Sequence, residues 1–177
     1  TYQGNSKEAL NSSIRIMKES GAHAVKLEGG REVRESIERI LSAGIPVMGH
    51  LGLTPQSIYK FGTYTVRAKQ EEEARLLKED AQMLNDIGCF AMVFEKIPAS
   101  LAEEVTAAVD CPTIGIGAGA DCDGQVLVLH DMLGITQDFS PRFLRRYSDI
   151  GDQMLGAIQN YVADVRSRDF PSKDEQY

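Results

Sequence analysis

The sequence lacks the features that mark a protein for nucleic acid or for a membrane. It contains no cluster of lysine and arginine, and its formal net charge is −7 over 177 residues. Nucleic acid and anionic membrane surfaces both require a basic patch, so we predict that neither is a partner. No apolar run approaches the length of a membrane span, and no signal peptide is visible.

Cysteine is also scarce. Cys89, Cys111 and Cys122 are the three cysteines of the chain, an odd number without CxxC spacing. This pattern favours free thiols in a reducing compartment over a disulfide or zinc framework. We therefore expect a cytoplasmic protein.

What the sequence does contain is a series of short apolar runs, each ending in a polar residue or a glycine. Hydrophobic residues make up 42% of the chain and charged residues 25%, which is typical of a globular protein with one core. Near-continuous apolar runs are typical of strands buried on both faces of a parallel sheet. The predicted strands are Ala22–Gly30, Ile45–His50, Cys89–Glu95, Pro112–Gly119 and Gln125–Asp131.

Amphipathic helices alternate with these strands, and the alternation predicts an α/β fold with a parallel sheet. A β/α barrel has eight strands and about 250 residues. Five strands that begin on a helix predict a TIM-type (β/α) barrel lacking its first three strands, over residues 1–165, followed by a polar tail, 166–177. An open five-stranded sheet is the structural alternative. The predicted helices are Ser6–Glu19, Glu32–Leu41, Glu71–Ile87, Leu101–Val109 and Asp149–Val165.

Lys26 and Glu28 end the first predicted strand and are followed by Gly29 and Gly30. Residues two apart on a strand point to the same side. A lysine and a glutamate directed into a barrel mouth are costly unless they pair or bind a ligand. A salt-bridged pair at a strand end is one interpretation. The two glycines, which allow the backbone to approach a ligand closely, favour a site.

Glu95 and His50 end two further predicted strands. A carboxylate after four apolar residues is a candidate general base, and the alternative is a glutamate that simply opens the following loop. His50 precedes Thr54-Pro55, a helix start with proline at the first helical position. A lone histidine is more often structural than catalytic.

The glycine-rich segment Gly115–Gly119 does not predict a nucleotide cofactor. Its spacing is not GxGxxG, and the sequence that follows, Ala120–Gly124, is not that of a helix. Glycines where a helix or ligand approaches a barrel rim explain the segment better.

Taken together, these motifs resemble those of the ketopantoate hydroxymethyltransferase family. The motifs are VKLEGG, IPVMGHLGLTPQS, the apolar run into FEKIP, and PTIGIGAGADCDGQVLVLHDMLG, in the order of the family. The resemblance covers essentially all of the chain from the first helix to the last. It implies a cytoplasmic TIM-type barrel that uses Mg²⁺ and transfers a hydroxymethyl group from methylene-tetrahydrofolate to 3-methyl-2-oxobutanoate, giving 2-dehydropantoate. It also implies a homo-oligomer, a decamer in the family, whose partners are a 2-oxo acid and a reduced folate.

The resemblance also implies roles for individual residues. Glu28 matches the metal-ligand glutamate of the family, and Lys26 matches the lysine that contacts the keto acid. Glu95 matches the general base. His50 matches a histidine near the site, for which we predict only that it lines the site.

The family pattern also requires residues that this chain does not supply. An Asp-Ser pair and a second aspartate, which bind metal and substrate, lie on family strands that would precede Thr1. We therefore expect the chain alone to bind Mg²⁺ weakly or not at all. Two alternatives stay open at this point: a magnesium-dependent 2-oxo-acid carbon–carbon lyase on a related barrel, and an inactive barrel fragment.

Overall fold

The structure, a computed structural model, describes residues 1–177. Five short strands alternate with helices along the chain. The strands are β1 (Val25–Lys26), β2 (Val47–Gly52), β3 (Ala91–Glu95), β4 (Thr113–Ile116) and β5 (Gly124–Gln125). The helices are α1 (Ser6–Glu19), α2 (Arg34–Ser42), α3 (Ile58–Phe61), α4 (Glu71–Asp86), α5 (Ala99–Ala108), α6 (Leu129–Met132) and α7 (Ile150–Ser167), with short 3-10 turns at Arg31–Val33, Pro55–Ser57 and Lys173–Glu175.

The five strands form one parallel sheet in the order β1-β2-β3-β4-β5. A doubly wound open sheet reverses its strand order at a switch point, whereas successive strands of a β/α barrel are neighbours in chain order. The predicted α/β fold with a parallel sheet is confirmed. The strand order is that of part of a TIM-type barrel.

The fifth predicted strand is largely wrong. Of the run Gln125–Asp131, only Gln125 lies in a strand, and residues from Leu129 onward form α6. The reason is that β5 is an edge strand that pairs only with β4. Val126, Val128 and Leu129 are exposed, so this run does not bury the apolar side chains whose packing would hold it in an extended form.

The core lies between the sheet and the helices that cover it. In α4, Leu77, Ala81 and Leu84 are buried at helical spacing, while Glu71 and its two acidic neighbours occupy the first turn, where the helix dipole favours negative charge. Burial of one such aliphatic side chain contributes about 1.5–3 kcal/mol relative to exposure. The largest fully buried side chains are those of Phe94, Ile37, Ile40, Leu53, Leu84, Met92, Val47 and Thr113.

Local signals account for the helix ends. Asn5 caps α1 by accepting a hydrogen bond from the backbone N–H of Glu8 at 2.9 Å. Pro55 opens the turn that leads into α3, as predicted for the Thr54-Pro55 pair. None of the helices is both long enough and apolar enough to cross a membrane.

The chain divides into two compact units, Thr1–Val126 and Leu127–Tyr177. The first contains the whole sheet. The second contains α6 and α7, and α7 has no buried residue. The division into 1–165 and 166–177 stays a prediction.

Candidate active site

The backbone pairing of β1 with β2 fixes the position of Glu28. The N–H of Leu27 donates to the carbonyl of Met48 at 3.1 Å, and the N–H of Gly29 donates to the carbonyl of His50 at 3.0 Å. Glu28 lies between these two hydrogen bonds. Lys26, two residues earlier, therefore points to the same side, and its Nζ lies 3.6 Å from Oε1 of Glu28.

His50 lies in the middle of β2, between the ends of β1 and β3. Its Nδ1 is 3.0 Å from Nζ of Lys26 and 3.9 Å from Oε1 of Glu28. Its Nε2 is 3.3 Å from Oε2 of Glu95. The Nε2–Glu95 pair is close enough for an ion pair but is not aligned for a hydrogen bond, so buried Nε2 has no hydrogen-bond partner.

Glu28 is the most constrained carboxylate of this group. Its side chain is 7% exposed, and its Oε2 accepts a hydrogen bond from the backbone N–H of Gln56 at 2.9 Å. Glu28 thus has one oxygen held by backbone and one oxygen facing Lys26 and His50. These partners offset the cost of burying the polar carboxyl group.

Glu95 ends β3 and is in register with Gly52 of β2. Its side chain is 16% exposed, compared with 42% for Lys26. The three neighbouring strands therefore bring the four predicted site residues into one contact group: Lys26, Glu28, His50 and Glu95. Their roles stay predictions, and an ion pair between Lys26 and Glu28 is part of the arrangement.

A cleft of about 220 Å³ opens beside this group, and none of the four side chains lines it. Gly29, Gly30 and Gly52 form part of its wall, together with Arg67, whose guanidinium stacks 4.0 Å from the centroid of the Phe61 ring. The side chain of Asp80 also lies against Gly30, where a Cβ atom would come within 2.3 Å of it. The lack of a side chain at Gly30 therefore leaves room for the side chain of Asp80.

The glycine-rich segment after β4 packs against a helix, as its sequence suggests. Gly119 has a φ of +89°, and a Cβ atom there would come within 2.5 Å of Cβ of Ala99 in α5. The segment needs glycine because α5 approaches its backbone closely.

Two residues of the site escaped the sequence analysis. The backbone N–H of Glu28 donates to the phenol oxygen of Tyr2 at 3.2 Å, and burial raises the pKa of Tyr2 above its ordinary value of 10.0. Gln56, the second, lies inside the GHLGLTPQS motif and acts through its backbone, which carries no residue-specific signal. Tyr2 stands outside every motif.

The donor set does not fit a complete magnesium site. Magnesium requires near-octahedral oxygen coordination, and one or two carboxylates with waters and substrate oxygens usually provide it. Of the carboxylates, only Glu28 has an oxygen beside Lys26, and a cation there would face the ammonium group. No group of three or more histidine, cysteine, aspartate or glutamate side chains is placed to hold a metal ion.

Comparison with known proteins identifies the family. A family model described as ketopantoate hydroxymethyltransferase matches residues 1–173. Similar proteins named 3-methyl-2-oxobutanoate hydroxymethyltransferase come from Christiangramia forsetii, Parabacteroides distasonis and Flavobacterium johnsoniae, with 69%, 68% and 67% identity over 177 residues. Among solved structures, the YdjI aldolase from Escherichia coli K12 matches with a TM-score of 0.40 and 16% identity, over 67% of this chain and 49% of the aldolase chain.

The three relatives are matched over all of this chain, which spans 65% of the length of each. The matched region includes every residue of the contact group around His50. Because the family model covers almost the entire chain and the identities approach 70%, the chain belongs to the ketopantoate hydroxymethyltransferase family.

Proposed function

We propose that the protein carrying this chain transfers a hydroxymethyl group from methylene-tetrahydrofolate to 3-methyl-2-oxobutanoate, giving 2-dehydropantoate for pantothenate biosynthesis. The observation that carries the proposal is the contact group of Lys26, His50 and Glu95, with Glu28, at the carboxyl ends of three adjacent strands in a member of this family. In β/α barrels the carboxyl ends of the strands are where catalytic residues lie.

Glu95 is the proposed base. Its carboxylate takes the proton from C3 of the keto acid, and the electrons of the C–H bond form the enolate. Lys26 is the proposed cation for the substrate, because a charged donor stabilises a carboxylate or an enolate oxygen. C3 then bonds to the methylene carbon of the folate. Both bonds from that carbon to the folate nitrogens break; water supplies the hydroxyl oxygen, and its two hydrogens go to those nitrogens as tetrahydrofolate leaves. The proton that Glu95 took ends on the hydroxyl of the product.

Glu28 is proposed as one oxygen ligand of Mg²⁺. Since the donor set of these residues does not complete such a site, we assign no catalytic step to the metal. Further oxygen ligands would have to come from residues outside this sequence, from substrate or from water.

We also propose a cytoplasmic homo-oligomer, a decamer as the family resemblance implies. The free cysteines are compatible with a reducing compartment. Light scattering of the full-length protein carrying this chain tests the assembly: a monomer would contradict the proposal.

The experiment that tests the activity measures 2-dehydropantoate formation by the full-length protein carrying this chain. Glu95→Gln keeps the size of the side chain but cannot accept the proton, so we expect kcat to fall by about 10²-fold or more. Glu103→Gln, at an exposed glutamate of α5, is the matched control and should keep kcat within about twofold.

Two results would contradict the proposal. One is normal turnover by Glu95→Gln, which would remove Glu95 as the base. The other is carbon–carbon bond cleavage or formation on a 2-oxo acid at full rate without folate, which would indicate a lyase.

A further inference from the structure

His50 is a buried ring with a different type of partner at each nitrogen. The residue is 4% exposed. Nδ1 faces the ammonium group of Lys26 at 3.0 Å, and Nε2 faces the carboxylate of Glu95 at 3.3 Å. The ring therefore lies between Lys26, the proposed cation that binds the substrate, and Glu95, the proposed base.

These partners determine which nitrogen carries the hydrogen. A lysine ammonium group has three donors and no acceptor, so Nδ1 can bond to it only as an acceptor. In a neutral imidazole the hydrogen then lies on Nε2. This nitrogen lies 3.3 Å from Oε2 of Glu95, which is an acceptor, so the hydrogen bond forms once the two groups rotate into alignment.

We propose that His50 is a positioning residue that joins Lys26 to Glu95. In the neutral form with hydrogen on Nε2, it accepts from Lys26 and donates to Oε2 of Glu95. Oε2 is thereby fixed, and the second oxygen of Glu95 is left to take the substrate proton. The geometric part stands on the distances alone, whereas its kinetic consequence rests on the proposed function.

Histidine can bond to both partners because its two ring nitrogens lie on opposite sides of the ring. The amide oxygen of an asparagine occupies roughly the place of Nδ1, and the amide of a glutamine reaches roughly the place of Nε2. Neither side chain can serve Lys26 and Glu95 at once. The two substitutions therefore remove the two halves of the proposed function separately.

Neutron crystallography of the full-length protein carrying this chain, exchanged into D₂O, tests the tautomer directly because it locates hydrogens that X-ray structures leave to inference. We expect deuterium on Nε2 of His50 and none on Nδ1. Deuterium on Nδ1, alone or together with Nε2, would overturn the proposal. This measurement needs no variant and no turnover, so it is independent of the proposed activity.

Kinetics of His50→Asn and His50→Gln then test the positioning role. His50→Asn keeps an acceptor for Lys26 and loses the donor to Glu95, so kcat should fall about 10- to 100-fold with KM for the keto acid nearly unchanged. His50→Gln keeps a donor to Glu95, so kcat should recover by about tenfold relative to His50→Asn, while KM rises. His23→Asn, at an exposed histidine, is the control and should change neither constant.

Equal losses in both folded variants, without a division between kcat and KM, would overturn the positioning role. If neither variant folds, the tautomer in the unsubstituted protein still decides whether the proposed hydrogen bonds exist. A correct tautomer in a protein without transferase activity would contradict only the proposed function.

Discussion

The two ends of the parallel sheet hold their polar groups in different ways. At the carboxyl ends of β1 to β3, contacts of 3.0 to 3.9 Å join the polar side chains of the contact group, and Nε2 of His50 has no aligned partner. At the amino ends of β4 and β5, Oδ2 of Asp123 accepts hydrogen bonds from the backbone N–H and the hydroxyl of Thr113, at 2.8 and 3.1 Å.

A third residue, Thr106, also belongs to this hydrogen-bond network at the amino ends. The hydroxyl of Thr113 also lies 2.9 Å from that of Thr106 in α5. Thr113 is fully buried, and its hydroxyl has partners in both Asp123 and Thr106. We propose that the amino ends serve stability, whereas the carboxyl ends keep bonding capacity for a ligand, as expected for the two faces of a β/α barrel.

We expect loss of the Lys26 charge to affect substrate binding strongly. We expect Lys26→Met in the full-length protein to raise KM for the keto acid about 10- to 100-fold, because a hydrogen bond to a charged group is worth about 1.5–3 kcal/mol. Steady-state kinetics measure it, and Lys69→Met at an exposed position is the control. An unchanged KM would place the substrate elsewhere.

Substitution of Glu28 should weaken metal binding more than it affects folding. We expect Glu28→Gln to weaken Mg²⁺ binding to the full-length protein by about tenfold or more, since the neutral amide is a poorer ligand for a hard cation. Calorimetric titration measures the affinity, with Glu35→Gln in α2 as the control. Equal Mg²⁺ affinity in the variant and the parent would remove Glu28 from the metal site.

At the amino ends of the strands, a substitution should reduce stability more than activity. Thr113→Val keeps the shape of the side chain but removes its hydroxyl, so we expect the free energy of unfolding to fall by about 1–2 kcal/mol. The value of kcat should stay within about twofold. Urea unfolding measures the first and turnover the second, and Thr65→Val at an exposed site is the control. A large loss of kcat in folded Thr113→Val would contradict the assignment of the amino ends to stability.

The smallest expected effect is a change with pH in the contribution of Asp123 to stability. The hydrogen bonds from Thr113 lower the pKa of Asp123 below its ordinary value of 3.8. Because the folded pKa is lowered, the contribution of Asp123 to stability is complete above 3.8 and is lost as the pH falls through the lower folded value.

Asp123→Asn removes this titration. The difference in urea midpoint between the parent and Asp123→Asn, measured at about pH 6 and about pH 3, should therefore shrink toward the lower pH. A difference that grows on acidification would contradict the sign. The substitution should leave the transfer activity unchanged.

The sequence predicted the residues at the carboxyl ends of β1 to β3 better than it predicted the extent of the edge strand β5. Each of Glu28, His50 and Glu95 follows an apolar run, and parallel strands bring such positions to one edge of a sheet, so their proximity could be predicted. The contacts of Tyr2 and of the Gln56 backbone with Glu28 could not, because they depend on loop conformation.

The strand at Gln125 was predicted too long for a related reason. How far an apolar run continues as a strand depends on the neighbours it packs against, and whether a run lies inside a sheet or at its edge is a tertiary property. The tautomer of His50 was likewise beyond the sequence, since it follows from which charged group lies at each nitrogen.

The step that we assign to Glu95 is removal of the proton from C3 of the keto acid. Exchange of this proton with D₂O, followed by NMR of 3-methyl-2-oxobutanoate with the full-length protein carrying this chain and no folate, isolates that step from the transfer. We predict exchange with the parent and with Glu103→Gln, and a loss of about 10²-fold or more with Glu95→Gln. Exchange at the parent rate in folded Glu95→Gln would contradict the claim.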